Sequence, residues 1–230
     1  VFRIVRQDSA DRPETRREVE FEPELAERST LMAALFQIAM VSEDPVAFDA
    51  ACHGDACGAC TLLVNGRVRP ACRTNVSDVA VKGRVFLEPL GRFELIRDLS
   101  VVRTPIRDSL QALGNGLPLA DGKRVSKRNA RTLASIDRCS ECGACLEACP
   151  EWSSDGFAGA LALNELRVLD LLPSAAAAAP QRLDALMSDR GIAGCGKSEN
   201  CVEVCPERIP LVDSILALQR SLTRHLFRRR

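Results

Sequence analysis

The chain has 230 residues, a formal net charge of zero, and eleven cysteines against two histidines. Zero net charge removes the electrostatic footprint that nucleic-acid binding needs, and no apolar run approaches the ~18 residues of a membrane span. The length suits two domains of about 100–130 residues. Clustered cysteines, odd in number, favour metal ligation by sulfur in a reducing compartment over a disulfide scaffold.

Val1–Asp8 and Arg17–Glu22 alternate apolar and polar residues about a polar turn. This predicts a β-hairpin and does not resemble a signal peptide. Ser29 or Thr30 is placed to cap an apolar helix over Leu31–Met40. Cys52, Cys57 and Cys60 then form C-x4-C-x2-C, with Cys72 as a distal fourth cysteine. That is the plant-type [2Fe–2S] spacing. Gly54 and Gly58 let such a loop pass close to the cluster sulfides. Asp55 reads as a turn residue and His53 as solvated. Asn65-Gly66 predicts a type I′ hairpin between Leu62–Val64 and Arg67–Ala71, which returns Cys72 to the side of Cys60. Val81–Pro89 reads as a closing strand. Residues 1–96 are therefore expected to form a β-grasp plant-type [2Fe–2S] ferredoxin domain.

Residues 97–230 turn to helices and loops, so the fold class is α+β. Leu113–Pro118 is a turn-rich connector. Lys123–Arg131 carries five Lys or Arg and no acid, a solvated surface or a docking face. The central run is Cys139, Cys142, Cys145 and Cys149 followed by Pro150, spaced C-x2-C-x2-C-x3-C-P. In bacterial ferredoxins the first three such thiolates hold one cubane cluster and the fourth serves a second. The rest of a second set exists in Cys195, Cys201 and Cys205, the last followed by Pro206. Between the runs, Phe157–Leu172 is predicted as an apolar helix. Ala175–Ala179 sits between Pro173 and Pro180, and Gln181–Arg190 as a helix ending at Gly191. A last helix over Leu211–Leu226 precedes Phe227 and the Arg228–Arg230 tail, which suits either an anionic membrane surface or bulk solvent. Structural zinc is the competing use of cysteine, but it prefers paired C-x2-C knuckles in closed four-ligand sites. No G-x-G-x-x-G dinucleotide motif occurs.

Taken together, these motifs are specific. The order C-x4-C-x2-C…C, then C-x2-C-x2-C-x3-C-P, then C-x5-C-x3-C-P resembles the iron–sulfur subunit of succinate:quinone oxidoreductases and quinol:fumarate reductases (respiratory complex II) over nearly the whole chain. The resemblance implies one [2Fe–2S], one [4Fe–4S] and one [3Fe–4S] cluster, which use all eleven cysteines. By crossing the two later runs, Cys52, Cys57, Cys60 and Cys72 hold [2Fe–2S]. Cys139, Cys142, Cys145 and Cys205 hold [4Fe–4S], and Cys149, Cys195 and Cys201 hold [3Fe–4S]. Ser198 stands where a second cubane loop would place its middle cysteine, which leaves one cluster corner vacant. Pro150 and Trp152 are candidates to border a quinone, with core packing the competing role for Trp152.

The resemblance further implies an electron relay with no catalytic acid or base of its own. Its partners are an FAD-containing flavoprotein that handles succinate or fumarate and a membrane-anchor cytochrome b subunit with haem b, passing electrons to a quinone. Some members carry a histidine directly after the cysteine equivalent to Cys195. Gly196 stands there instead, as in the menaquinone-linked type, so menaquinone is the expected quinone. The expected location is the cytoplasmic face of the bacterial inner membrane, as a peripheral subunit. Both reaction directions use the same parts. The alternatives are the iron–sulfur subunit of another flavin- or disulfide-linked reductase, against which Ser198 counts, and a free-standing soluble ferredoxin, against which the long helices count.

Overall fold

A computed structural model describes the chain except residues 53, 55, 115–122, 229 and 230, and for Arg228 the backbone alone. His53, Asp55, most of the Leu113–Pro118 connector and the end of the Arg228–Arg230 tail thus lie outside the described residues.

The chain opens with strands β1 (Phe2–Arg6) and β2 (Arg17–Phe21), paired antiparallel from Phe2↔Phe21 to Arg6↔Arg17. Helix α1 (Leu31–Val41) follows, and the Thr30 hydroxyl accepts the Ala33 N–H at 3.2 Å as its cap. Such a cap contributes about 0.5–2 kcal/mol. Strands β3 (Thr61–Val64) and β4 (Arg67–Pro70) flank Asn65-Gly66. Both turn residues have positive φ, 50° and 74°, as a type I′ turn demands. Asn65 also ties this turn to its neighbours, its side chain donating to Val79 O and accepting the Phe86 N–H. After the short helix α2 (Val76–Val79) comes strand β5 (Val85–Glu88). The expected strand from Val81 starts late, because Lys82 and Gly83 take φ of 50° and 76° and make a tight turn closed by Val81 and Arg84. A short hairpin of β6 (Leu95–Arg97) and β7 (Ser100–Val101) was not expected from the sequence.

Helices then take over: α3 (Thr104–Ala112), α4 (Lys127–Ile136), α5 (Ala144–Glu147), α6 (Gly159–Leu171), α7 (Ala179–Ala185), α8 (Asn200–Glu203) and α9 (Leu211–Arg228). The basic stretch is in part α4, capped by Ser126 accepting from the Asn129 N–H. The helix expected over Gln181–Arg190 stops at Ala185. Gly191 does not cap it in the left-handed region. It passes so near Leu186 that an added Cβ would lie 2.2 Å from the Leu186 carbonyl oxygen. Among the described residues no helix is long and apolar enough to cross a membrane.

The chain divides into two compact units, Val1–Arg103 with Ser140–Glu147, and Thr104–Cys139 with Ala148–Arg230. Relative to a boundary at residue 96, the first unit runs on to Arg103 and takes in part of the central cysteine run. One tie that holds that stretch there is the Glu147 carboxylate, which accepts the Gly91 and Arg92 N–H groups at 3.0 and 2.9 Å.

In the first unit five of the described strands form one sheet in the order β2-β1-β5-β3-β4, with β1 and β5 parallel and the other pairs antiparallel. Helix α1 packs Leu31, Ala34, Leu35 and Ile38 into a core with Ile4, Leu62, Val64 and Leu87. This is the mixed sheet with one packed helix of a β-grasp ferredoxin fold. Each fully buried Leu or Ile there contributes about 1.5–3 kcal/mol. The buried Arg6 and Asp98, each 2% exposed, pair at 2.9 Å. Asp98 also accepts the Gln7 and Ala47 N–H groups, and Arg6 donates to Asp44 O and Pro45 O. This staple fixes the 44–47 segment that leads into the first cysteine loop.

The second unit is helical. Helix α6 is buried along nearly its whole length. Its one buried amide, Asn164, donates to Ile136 O at 2.9 Å and accepts from the Ser214 hydroxyl at 2.9 Å. Both polar ends are therefore satisfied, as burial requires. Helix α9 turns Leu211, Ile215 and Leu218 inward at helical spacing.

Candidate cluster-binding sites

Cys52, Cys57 and Cys60 lie on the loop between the 44–47 segment and β3, running from exposed through half-buried to buried. The Ala56 N–H points at Cys52 Sγ and the Ala59 N–H at Cys57 Sγ, each at 3.4 Å. These donors lie where thiolate charge has to be held. The Cys52 thiol is accordingly lowered to about 6, by the Gly54 and Ala56 backbone N–H groups first and then by Cys57. The β3–β4 hairpin sets Thr61 opposite Pro70, and the Ala71 N–H donates to Cys60 O at 3.0 Å. Cys72 is thereby returned to the neighbourhood of Cys60, as the turn chemistry requires. Gly58, with φ +64°, packs so tightly that an added Cβ would lie 2.4 Å from Cys142 Cα. A bare backbone at this point lets the 140–147 segment close on the first loop.

Cys142 and Cys145 are buried in the first unit, while Cys139 and Cys205 belong to the second. Within the second unit, Arg138 donates to Glu207 O at 3.0 Å. This brings the residue before Cys139 to the residue two past Cys205. The Ile209 N–H also points at Cys205 Sγ, at 3.4 Å.

The second unit also carries a small pocket on whose wall Cys149, Cys195 and Cys201 meet, with Ser198 beside them and Phe157 and Ile215 as apolar lining. The Asn200 side chain donates to Ala148 O at 3.0 Å and pins the Cys201 turn to the Cys149 turn. Burial, then the neighbouring Cys149 and Cys195, push the Cys201 thiol up to about 11. Cys201 therefore resists ionisation unless a cation is placed beside it. The backbone around Ser198 repeats that around Cys142. Glu141 and Gly143 have φ of 51° and 77°, and Lys197 and Glu199 have 58° and 62°. Ser198 thus occupies the place on its loop that Cys142 occupies on the other.

Pro150 is exposed, and Trp152 is 3% exposed, with its indole N–H donating to the Ser109 hydroxyl at 3.3 Å. At Gly196 an added Cβ would lie 2.6 Å from a Glu151 carboxylate oxygen, so that carboxylate fills the space a side chain there would enter. Glu147, Arg138, Asn200 and Glu151 escaped the sequence reading. No spacing rule marks such braces; only the offset of Asn200, directly before Cys201, hints at its role. Among the described residues no three His, Cys, Asp or Glu side chains converge as a single-ion site. The donor set instead suits clusters: soft thiols, backbone N–H groups aimed at sulfur, and loops kept bare by glycine.

Comparison with known proteins agrees with this geometry. Residues 1–108 match the 2Fe-2S iron-sulfur cluster binding domain family and residues 135–209 the 4Fe-4S dicluster domain family. The chain is 34% identical to the succinate dehydrogenase iron-sulfur subunit of Bacillus subtilis (strain 168), over 99% of this chain and 94% of that one. It is 29% identical to the fumarate reductase iron-sulfur subunit of Wolinella succinogenes, over 96% and 95% of the two chains. In fold it is similar to a chain of the Mycobacterium smegmatis Sdh1 complex in the apo form, with a TM-score of 0.84, 20% identity, and 98% and 96% of the chains covered.

Proposed function

The chain belongs to the family of iron–sulfur subunits of succinate dehydrogenase and fumarate reductase, and from that membership we propose the following assignment of its sites and partners. Cys52, Cys57, Cys60 and Cys72 hold [2Fe–2S]. Cys139, Cys142, Cys145 and Cys205 hold [4Fe–4S]; Cys149, Cys195 and Cys201 hold [3Fe–4S], with Ser198 at the vacant corner. As sequence modules, residues 1–96 form the plant-type ferredoxin domain and residues 97–230 the two-cluster domain. When bound, the clusters supply one-electron chemistry, and the protein supplies spacing, orientation and the electrostatic setting of each potential.

The electron donor or acceptor on one side is an FAD-containing flavoprotein acting on succinate or fumarate. On the other side stands a membrane-anchor cytochrome b with haem b, and beyond it a quinone, menaquinone by the Gly196 criterion. The subunit is peripheral, on the cytoplasmic face of the bacterial inner membrane. Pro150 and Trp152 stand nearest the quinone side. The Ser109 bond makes Trp152 a residue that shapes that side while its ring stays in the core. The single observation that carries the assignment is the meeting of Cys149, Cys195 and Cys201 on one pocket with Ser198 in the place equivalent to Cys142. Iron and sulfide analysis of the purified complex tests it. About nine irons and ten sulfides per chain are expected from the cluster formulae, with an oxidised-state EPR signal from the three-iron cluster. A count near ten irons without that signal would overturn the assignment.

A further inference from the structure

Arg103 ends the first unit, just past β7, and is half-buried. Its guanidinium donates to two carbonyls on two different cysteine loops. One is Ala59 O at 3.4 Å, directly before Cys60; the other is Cys142 O, through a short hydrogen bond. Burial lowers its pKa, and Cys142, Asp49, Cys60 and Cys57, in that order, offset part of that. The Asp49 carboxylate is itself held by the Ser100 hydroxyl at 2.8 Å. An arginine remains a cation here, because its ordinary pKa lies far above neutrality. A rigid fork with fixed charge is therefore inserted where the first and second cysteine loops of this unit meet.

Building on the proposed ligand assignment, we infer that Arg103 is a positioning residue that clamps the [2Fe–2S] loop to the Cys142 loop and raises the potentials of both clusters they carry. The clamp acts through the two carbonyls, whose separation the planar guanidinium fixes. The charge acts because reduction adds one electron to a thiolate-bound cluster, and a nearby buried cation favours the more negative state. Lysine keeps the charge but has no planar fork, so it cannot hold both carbonyls in one geometry. The two contributions are thus separable by substitution.

The test uses the whole complex, with EPR recorded during a redox titration. The unsubstituted complex comes first: if it lacks signals from three clusters, the ligand assignment itself fails and takes this inference with it. With those signals present, Arg103→Gln is expected to lower the reduced-to-oxidised ratio of [2Fe–2S] and [4Fe–4S] at fixed potential by about tenfold, equivalent to about 59 mV for one electron. The three-iron signal, whose ligands lie in the second unit, should keep its potential. Arg103→Lys is expected to keep both ratios within about twofold while weakening the magnetic coupling between the two reduced clusters, since dipolar coupling falls steeply with separation. Unchanged potentials in Arg103→Gln, or an equal shift of all three clusters, would overturn the inference. If Arg103→Gln fails to assemble, Arg103→Lys decides alone: weaker coupling at retained potentials supports the clamp, and unchanged coupling overturns it.

Discussion

Replacing Gly58 with alanine is expected to pry the first cysteine loop from the Cys142 segment. The size of the effect follows from two features. Gly58 has φ +64°, where an L-residue carries about 1–2 kcal/mol of strain. Its new Cβ would also lie 2.4 Å from Cys142 Cα, 2.6 Å from Cys142 Cβ and 2.7 Å from Ser140 O. Carbon atoms pack at about 3.5–4.0 Å, so the segments have to separate by about 1 Å. Overpacking of this kind costs about 1–3 kcal/mol, for a total of about 2–5 kcal/mol. Gly66 is the internal control: its φ is +74°, but nothing lies within 4 Å of an added Cβ. Gly66→Ala should therefore carry the strain alone. Thermal denaturation and bound iron would be measured on both variants in the complex. At about 2–4 °C per kcal/mol for a chain of this size, Gly58→Ala should melt several degrees below Gly66→Ala and lose iron from the first two clusters. Equal Tm and equal iron content in the two variants would refute the close-approach argument.

Further expectations follow from the other sites. Cys205→Ala should abolish the [4Fe–4S] signal before the three-iron signal; the reverse order, checked by EPR, would undo the crossed assignment. Ser198→Cys should admit a fourth iron, because the backbone on both sides of residue 198 already matches that around Cys142. The added thiolate should lower the cluster's potential and slow quinone reduction, while electron flow from succinate to an artificial acceptor at the flavin is little altered. Retention of the oxidised three-iron EPR signal would show that residue 198 does not face the vacant corner. Asp98→Ala removes the buried partner of Arg6 and leaves it the exposed Asp44 carboxylate at 3.1 Å, which should cost about 3 kcal/mol, the low end for breaking a buried pair; chemical denaturation of the complex with a cost under about 1 kcal/mol would place that pair's worth at surface level.

The cysteine positions were legible because ligand spacing is a short-range property, written within a dozen residues at a time. The same holds for the Asn65-Gly66 turn and for α1, where cap and apolar stripe are local. Illegible features depend on partners remote in sequence. Arg103 meets carbonyls at positions 59 and 142, and Glu147 meets amides at 91 and 92. No local pattern announces either pairing. Element ends failed for the same reason. Gly191 resembles a helix stop in isolation, but its missing side chain serves an approach to Leu186, and the helix has already ended. The β6–β7 hairpin was missed because its strands are two and three residues long and turn at Asp98, a non-glycine with φ 49°. That residue is recruited there by its tie to Arg6.

The interrupted membership of the first unit bears on how the chain is made. Residues 1–103 are synthesised before Ser140–Glu147, and the stretch up to residue 147 takes about 2–9 s at 5–20 residues per second. During that interval the Gly91 and Arg92 amides, the bare face of Gly58 and one arm of Arg103 await partners still unsynthesised. Until Ser140–Glu147 emerge, the first unit lacks these three contacts. The first unit is therefore completed only after translation has reached the central cysteine run.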